Sequence, residues 1–499
     1  MVDGTRQRRD PRIAIVGAGM AGIAVAHAFR EAGFTNFTIL EKGSDVGGVW
    51  HWNRYPGLRC DVPSYTYQFA FAPKPDWKHV WATGDEIQRY HHDLVKRLGL
   101  EQHLRLRCEV SSAVFTGNRW RINTTGGDEI KADFLVAATG VLHHPFMPDI
   151  PGLDSFGGPV VHTARWTDIE TAGKRLAVIG TGSTGVQVFS ALQPEAGHIT
   201  HFCRTPQWVM WVPMALRQPR VVSRLLKALP GLERTVELGQ RGGSDFLVDL
   251  VTRPTWRRRL AQQYGRVCLR MLVRDNALRA RLTPDYEPFC KRQVISGNYY
   301  RAIGKPNASL VTEPIAEVTP TGIRTTDGAH HDLDAIVLAT GFQAHNYMRP
   351  MSLRGRDGLS IDDAWAKGPR AWAMTAIPGF PNLFTVLGPN SPSGSMSLQY
   401  VAELTARYIV EWLRRFSEGE ITTIEVTEEA TNRFNADVAA AMGPTVWNTG
   451  CNSWYFADDN HIDLWPFDRR RLQAMLGRPH DEDYILTRSE PAGTSTRVR

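Results

Sequence analysis

The sequence lacks a CxxC pair, an unbroken apolar run of membrane-spanning length and any block of like charges. Its six cysteines are scattered, which argues against a dithiol redox motif or a zinc site and is typical of free thiols in a reducing compartment. An apolar run at Ile13–Phe29 is interrupted by three glycines and is shorter than the ~20 residues that span a bilayer. We therefore expect a cytoplasmic protein without a membrane span.

Positive charge is in slight excess, with a net charge of +7, and the arginines are scattered rather than gathered into a run. This pattern does not favour nucleic-acid binding, and a cofactor rich in phosphate would use the same modest surplus. The hydrophobic fraction of 42% is ordinary for a globular protein, and a length of 499 residues predicts two or three domains.

Two segments have the order strand, glycine turn, helix, strand, one from residue 12 and one from residue 174. They predict the α/β fold class, with two doubly wound dinucleotide-binding domains. An Arg- and Leu-rich stretch with helical spacing predicts a helical insertion in the second domain. The predicted organisation is a first domain in two parts at 1–145 and 373–490, a second domain at 155–215 and 286–372, the insertion at 216–285, and a disordered tail at 487–499.

The first glycine turn, residues 17–22, has the sequence GAGMAG between an apolar strand and a helix. Gly17 permits the tight turn, Gly19 lets the backbone approach a pyrophosphate, and Gly22 lets the helix pack close to the strand. Glu41 ends the next strand, where a carboxylate can accept hydrogen bonds from ribose hydroxyls. This turn predicts an FAD site.

The second turn, residues 180–185, has the sequence GTGSTG and again follows an apolar strand. The strand after it ends in Arg204 and Thr205, with no acidic residue. An arginine at this position suits the 2′-phosphate of a nicotinamide nucleotide, because its guanidinium is always charged and binds phosphate in a bidentate manner. The second nucleotide is therefore predicted to be NADPH.

Two longer motifs resemble a known family, the type I Baeyer–Villiger monooxygenases among the class B flavin-dependent monooxygenases. Residues 47–61 match the pattern [AG]GxWxxxx[FY]P[GM]xxxD at every fixed position, ending at Asp61. Residues 156–166 match FxGxxxHxxxW, although Thr167 stands where the family has Pro or Asp. The resemblance runs from about residue 12 to 465. His162 lies in the linker between the two turns, where we expect it to make a hinge contact and assign it no proton transfer.

The resemblance also implies catalytic roles for Arg292 and Asp61. Arg292 would stabilise the flavin peroxide anion and the tetrahedral adduct, and Asp61 would hold it as a charge-assisted partner. Lys291 would join Arg204 on the 2′-phosphate, and Trp454 would lie on a loop that closes over the nicotinamide nucleotide. The chain departs from the family after Trp454, where it has Ala457-Asp458-Asp459.

The predicted cofactor-binding residues come from both turns and from the segments that carry the resemblance. They are Gly17, Gly19, Gly22, Glu41, Gly48, Val49, Trp50, Asp61, Tyr67, Gly180, Thr181, Gly182, Ser183, Thr184, Gly185, Arg204, Thr205, Lys291, Arg292 and Trp454.

The implied reaction uses FAD, NADPH and O₂ to insert oxygen next to a ketone carbonyl, giving an ester or lactone. A heteroatom-oxidising flavin monooxygenase shares both turns and is the main alternative. A pyridine nucleotide–disulfide reductase needs a redox cysteine pair that the sequence lacks, and a redox-sensing binding protein would hold both nucleotides without turnover. No metal is expected, and the sequence does not indicate which ketone is used.

Overall fold

The structure is a computed structural model, and it describes residues 9–229, 239, 243, 246, 248–391, 396–457 and 461–488. The strands are β1 (Ile13–Val16), β2 (Phe37–Leu40), β3 (Leu104–Arg105), β4 (Val110–Thr116), β5 (Arg119–Thr124), β6 (Glu129–Ala132), β7 (Phe134–Ala137), β8 (Val160–His162), β9 (Arg175–Ile179), β10 (His198–Phe202), β11 (Val209–Trp211), β12 (Val294–Ser296), β13 (Ala308–Val311), β14 (Ile315–Thr319), β15 (Gly322–Thr325), β16 (His330–Asp332), β17 (Ala335–Leu338), β18 (Ser352–Arg354), β19 (Leu383–Thr385), β20 (Ile421–Val426) and β21 (Tyr484–Arg488).

The helices alternate with these strands in both halves of the chain. They are α1 (Met20–Glu31), α2 (Val49–Trp52), α3 (Gly84–Arg97), α4 (Ser183–Leu192), α5 (Arg220–Ala228), α6 (Trp256–Leu272), α7 (Asn276–Arg281), α8 (Tyr299–Ala302), α9 (Ile361–Ala364), α10 (Leu398–Ser417), α11 (Glu428–Ala441) and α12 (Arg469–Leu476).

The first domain is built on a parallel sheet with strand order β19-β7-β1-β2-β3. In its centre, Ile15 of β1 pairs with Ile39 on one side and Val136 on the other. Every residue of β1 and β7 is buried, as expected for apolar strands that are covered on both faces. α1 packs against α10, so a helix from late in the chain completes this domain's core.

The second domain repeats the arrangement in a parallel sheet of order β13-β10-β9-β17-β8. β9 lies between β10 and β17, and the turn at 180–185 leads from its end into α4. Both nucleotide turns therefore lie at the carboxyl ends of central parallel strands, where α/β folds bind ligands. The predicted fold class is confirmed.

A smaller sheet flanks the first domain. Its strands show where the chain passes back from the second domain into the first. β4, β5 and β6 pair antiparallel in chain order. β18 pairs with β4 in parallel. The chain has therefore re-entered the first domain by Ser352, earlier than the boundary at 372 that the sequence suggests.

The C-terminal segment also differs from its prediction. β21 pairs antiparallel with β20 through Arg488, so residues 487 and 488 belong to a strand and not to the expected disordered tail. Thr487 and Arg488 are polar and exposed, and the strand with which they pair lies more than sixty residues earlier in the chain, so the local sequence does not indicate a strand. The rest of the predicted tail, 489–499, lies outside the described residues.

The cysteines are not all free thiols, contrary to the expectation from their spacing. Cys290 and Cys451 form a disulfide across 161 residues of chain, with their Cα atoms 6.1 Å apart. Cys60, Cys203 and Cys268 are free and buried. The two cysteines are distant in the sequence and form no CxxC motif, so the sequence alone does not indicate that they pair.

Within the described residues, no helix has both the length and the apolar character needed to cross a membrane.

Gly182 and Gly185, the second and third glycines of the second turn, differ in the space around them. A Cβ on Gly185 would lie 1.9 Å from the carbonyl oxygen of Gly180, whereas a Cβ on Gly182 would meet nothing within 4 Å. We predict that Gly185→Ala destabilises the second domain by about 1–3 kcal/mol, because the helix must move away from the strand. Thermal unfolding should show a lower midpoint for Gly185→Ala, with Gly182→Ala unfolding like the wild type as the matched control. Equal midpoints for all three proteins would contradict this packing.

Candidate active site

One cavity of about 1310 Å³ connects the two glycine turns. A single drug-sized ligand fills roughly 300–1,000 Å³, so this cavity has room for more than one extended ligand. All the predicted cofactor-binding residues line it except Gly22 and Gly185, which instead pack each helix against its strand. The structure therefore brings together residues that are up to about four hundred positions apart in the sequence.

The first turn requires glycine at the positions that the motif assigns. Gly17 has a φ of +108°, and a Cβ there would lie 2.4 Å from the carbonyl oxygen of Ala138. A Cβ on Gly22 would lie 1.9 Å from the carbonyl oxygen of Gly17. These contacts fix the close approach of α1 to β1 and aim the start of α1 at the cavity.

Glu41 has two roles at this turn. It is buried, and its carboxylate accepts hydrogen bonds from the backbone N–H of Ala18 and of Gly43, both at 2.7 Å. A carboxylate offers about four lone-pair sites, so two remain for ribose hydroxyls. Glu41 thus holds the turn in place and still faces the cavity.

The second turn has the same backbone geometry. Gly180 has a φ of +111°, and a Cβ there would lie 2.3 Å from the carbonyl oxygen of Ala339. The hydroxyl of Thr181 donates to the carbonyl oxygen of Thr205 at 2.8 Å, which fastens the turn to the end of β10. Arg204 and Thr205 are thereby kept at the rim of the cavity.

Lys291 reaches this rim from another part of the chain. Its ammonium group lies 4.6 Å from the centre of the Tyr286 ring. Burial lowers the pKa of Lys291, the nearby Asp285 raises it, and the positive charge of Arg204 lowers it further. Arg204 and Lys291 are thus two positive charges close enough to repel each other, and both line the cavity.

The loop at residues 47–61 lies directly over the first turn. A Cβ on Gly48 would come within 2.9 Å of Gly19 Cα, so these two backbones are in contact. The indole N–H of Trp50 donates to the hydroxyl of Tyr67 at 3.0 Å, and both rings line the cavity. The motif residues therefore form a wall of the cavity.

Gln187, on α4, anchors the same loop to the second domain. Its side-chain oxygen accepts from the hydroxyl of Tyr55 at 3.0 Å and from the backbone N–H of Arg59 at 3.3 Å. Its amide N–H₂ donates to the carbonyl oxygen of Arg59 at 3.0 Å. One buried side chain thus makes three hydrogen bonds that join the two domains just before Asp61.

Asp61 and Arg292 form a bidentate ion pair. The Nε of Arg292 donates to Asp61 at 3.0 Å, and a terminal nitrogen donates at 2.9 Å. The negative charge of Asp61 raises the pKa of Arg292 against the opposing effect of burial, so the guanidinium stays charged. The side chain of Arg292 is 42% exposed because it faces the cavity.

Tyr455 is a third member of this cluster. It is buried, and burial raises the pKa of its phenol while the charge of Arg292 lowers it. The Cys290–Cys451 disulfide joins the two segments that carry Arg292 and Tyr455. The arginine is therefore held by an ion pair on one side and by a covalent cross-link two residues away on the other.

Trp454 takes part in both core packing and the cavity. Its ring centre lies 4.6 Å from that of Tyr455, and it packs against the core of the first domain. It also lines the cavity together with Asn452 and Ser453. The Asp458 and Asp459 that follow lie outside the described residues.

The linker motif makes structural contacts. His162 is buried, and its Nδ1 accepts a hydrogen bond from the backbone N–H of Ala164 at 3.1 Å. Burial lowers the pKa of His162, which favours the neutral ring. The guanidinium of Arg165 lies 4.2 Å from the centre of the Trp52 ring in the first domain. The linker motif thus packs against the first domain, and the hinge role of His162 stays a prediction.

Sequence reasoning missed Gln187, Tyr455 and the disulfide. Gln187 had a detectable signal, since it is a lone polar residue among Val186, Val188 and Phe189 in a buried helix. Tyr455 directly follows the predicted Trp454 and had no signal of its own.

Two glycine turns that open on one cavity, with a charged arginine that lines the same cavity, define an oxidoreductase that uses two dinucleotides. Comparison with known proteins agrees. Residues 14–230 match the family model described as pyridine nucleotide-disulphide oxidoreductase, a range that contains both turns but neither Cys290 nor Cys451.

Similarity extends over nearly the whole chain. It is 46% identical to an uncharacterized monooxygenase of Mycobacterium tuberculosis, over 98% of this chain and 99% of that protein. It is 36% identical to a Baeyer-Villiger monooxygenase of Streptomyces coelicolor, over 98% and 95%. A solved structure of cyclohexanone monooxygenase from Rhodococcus sp. Phi1, bound to NADP+, matches with a TM-score of 0.85 and 30% identity, over 96% of this chain and 99% of that one. The chain belongs to the Baeyer–Villiger monooxygenase family.

The role of Gln187 can be tested against Gln193, a buried glutamine just beyond the same helix that bonds to Asn307 within the second domain. We predict that Gln187→Leu frees the loop at residues 55–61, because about 1–3 kcal/mol of buried hydrogen bonding is lost there. Hydrogen–deuterium exchange should rise at least about fivefold in that loop. Gln193→Leu should leave the loop protected, and equal exchange in both variants would show that Gln187 does not hold the domains together.

Proposed function

We propose that this chain is an NADPH- and O₂-dependent flavoprotein monooxygenase that inserts an oxygen atom next to a ketone carbonyl and releases an ester or lactone. One observation carries the proposal. A charged arginine, fixed by a bidentate carboxylate, faces the cavity shared by both glycine turns.

The residues at the first turn fit FAD. Six helices of the described chain begin with a Thr, Ser or Asp side chain that caps the backbone, whereas α1 begins at Gly19 with no such cap. Its first N–H groups are therefore available to a pyrophosphate. The lone pairs of Glu41 that the backbone leaves free suit the ribose hydroxyls of an adenine nucleotide.

The residues at the second turn fit NADPH. α4 likewise begins at a glycine, Gly182, without a side-chain cap. Arg204 and Lys291 would hold the 2′-phosphate between them, and its negative charge would relieve their mutual repulsion. No acidic side chain at the end of β10 competes for this position.

When bound, FAD and NADPH supply the hydride transfer and the activation of O₂. Arg292 would stabilise the negative charge that develops on oxygen as it is added to the ketone, because a fixed cation needs no reorganisation at that moment. Asp61 acts as a positioning residue that keeps the guanidinium aimed into the cavity.

The walls of the cavity would exclude water from the reacting atoms. Trp50, Tyr67 and Trp454 place aromatic rings along it, and the Trp50 N–H is already bonded to Tyr67. A drier site strengthens the electrostatic effect of Arg292. The same side chains would give a ketone an apolar surface to bind.

We also propose a cytoplasmic location and a ketone and O₂ as the small-molecule partners. The use of NADPH supports this location. The cysteine pattern no longer does, because Cys290 and Cys451 form a disulfide and disulfides are rare in reducing compartments.

Arg292 provides the test of this function. We predict that Arg292→Ala keeps its flavin, measured as flavin absorbance per protein, but loses ester formation at least about 100-fold, because the fixed positive charge that stabilises the developing negative charge is removed. Asp61→Asn should show a smaller loss of ester formation, since the positive charge of Arg292 remains but its guanidinium is less firmly oriented. Ester yield from a panel of cyclic, linear and aryl ketones should be measured with NADPH and O₂. Near wild-type yield from Arg292→Ala would refute the assignment.

A further inference from the structure

The outer face of α6 carries an apolar stripe that is open to solvent. Trp256 is 66% exposed, Leu260 60%, Val267 43% and Met271 73%. At 100° per residue these four side chains fall within a sector of roughly 60°. They therefore form one continuous line along the helix.

The apolar stripe is not the side of α6 that packs against the rest of the protein. The opposite side of α6 is already packed, with Arg258, Gln262 and Leu269 buried. The amide of Gln262 donates to the carbonyl oxygen of Pro288 at 3.4 Å. Single exposed apolar residues are common, but a row of large ones marks an interaction surface.

Exposed apolar side chains are concentrated in this part of the molecule. Of the sixteen large hydrophobic residues that are exposed in the described chain, eleven lie between Leu216 and Met271. Within the described residues, this segment thus carries more exposed large hydrophobic side chains than the rest of the chain. A partner that accepts apolar side chains would cover it.

Positive charge is concentrated in the same segment. Residues 216–285 contain fifteen Lys and Arg against six Asp and Glu, a net charge of +9, whereas the whole chain has +7. The positive surplus is therefore concentrated in this segment, contrary to the expectation of scattered arginines, and the rest of the chain is slightly acidic. α6 itself has five arginines and no acidic residue.

Arginines border the apolar stripe on both sides. Arg259 and Arg270 lie along one edge, and both are exposed. Neither has an ion-pair partner among the residues that the structure describes. Arg257 lies along the other edge, 3.6 Å from Asp249. This pattern of apolar centre, tryptophan and basic rims is typical of a helix that lies in a membrane interface.

We propose that the outer face of α6 docks on the surface of a bilayer that contains anionic phospholipid. The apolar side chains would enter the boundary between headgroups and acyl chains, while the flanking arginines reach the lipid phosphates. A second copy of the chain fits less well, because two such faces would bring like charges together. The proposal does not depend on the reaction proposed above.

Vesicle sedimentation of the full-length, flavin-loaded protein tests the proposal. Vesicles of equal parts phosphatidylglycerol and phosphatidylcholine should bind the protein, pure phosphatidylcholine vesicles should bind at least about tenfold less, and added salt should weaken binding. Binding to neither kind of vesicle, or equal binding to both, would overturn the proposal.

Paired variants locate the surface. Leu260→Glu with Met271→Glu should reduce binding to the anionic vesicles at least about tenfold, and Arg259→Gln with Arg270→Gln should also reduce it. Leu359→Glu with Ile485→Glu is the matched control, since it makes the same charge change at exposed apolar sites elsewhere. All variants should keep the wild-type thermal midpoint and flavin content.

The outcome that most clearly contradicts the proposal is wild-type binding by Leu260→Glu with Met271→Glu. A concentration-dependent dimer in the absence of vesicles, abolished by the same pair of substitutions, would also overturn it, because a second copy would then cover the stripe.

Discussion

The bidentate ion pair between Asp61 and Arg292 joins positions 231 residues apart in the sequence. The candidate active site depends on this contact between two distant segments. Asp61 ends the loop that covers the first glycine turn, and Arg292 comes from the segment after the insertion. Without Asp61, the guanidinium of Arg292 would lose the bidentate partner that fixes its direction. With it, the arginine is a fixed positive charge in a cavity that both dinucleotide turns share.

Several contacts keep the two halves of the pair in place. Gln187 ties the loop before Asp61 to α4, and α4 itself begins at the second glycine turn. The disulfide between Cys290 and Cys451 holds the arginine segment against the segment of Tyr455. The position of the Arg292 charge thus depends on how the domains dock, so a change in domain docking would also move this charge.

The sequence predicts those parts of the structure whose causes are local. Each glycine turn is a short strand–turn–helix unit, and Gly17 or Gly180 is required by neighbours within that unit or on the adjacent strand. Arg292 is different, since a Lys-Arg pair looks like any surface pair and only the resemblance of longer motifs singles it out. The Cys290–Cys451 pairing and the return of the chain through β18 were not predictable, because both depend on which distant segments fold together.

Oxygen transfer to a ketone is the central claim, and isotopically labelled O₂ tests it most directly. The purified, flavin-loaded protein would be mixed with NADPH and a panel of cyclic, linear and aryl ketones, and the products analysed by mass spectrometry. We predict at least one ester or lactone that carries a single labelled oxygen atom. Oxidation of NADPH with no labelled ester from any ketone would contradict the function proposed for this chain.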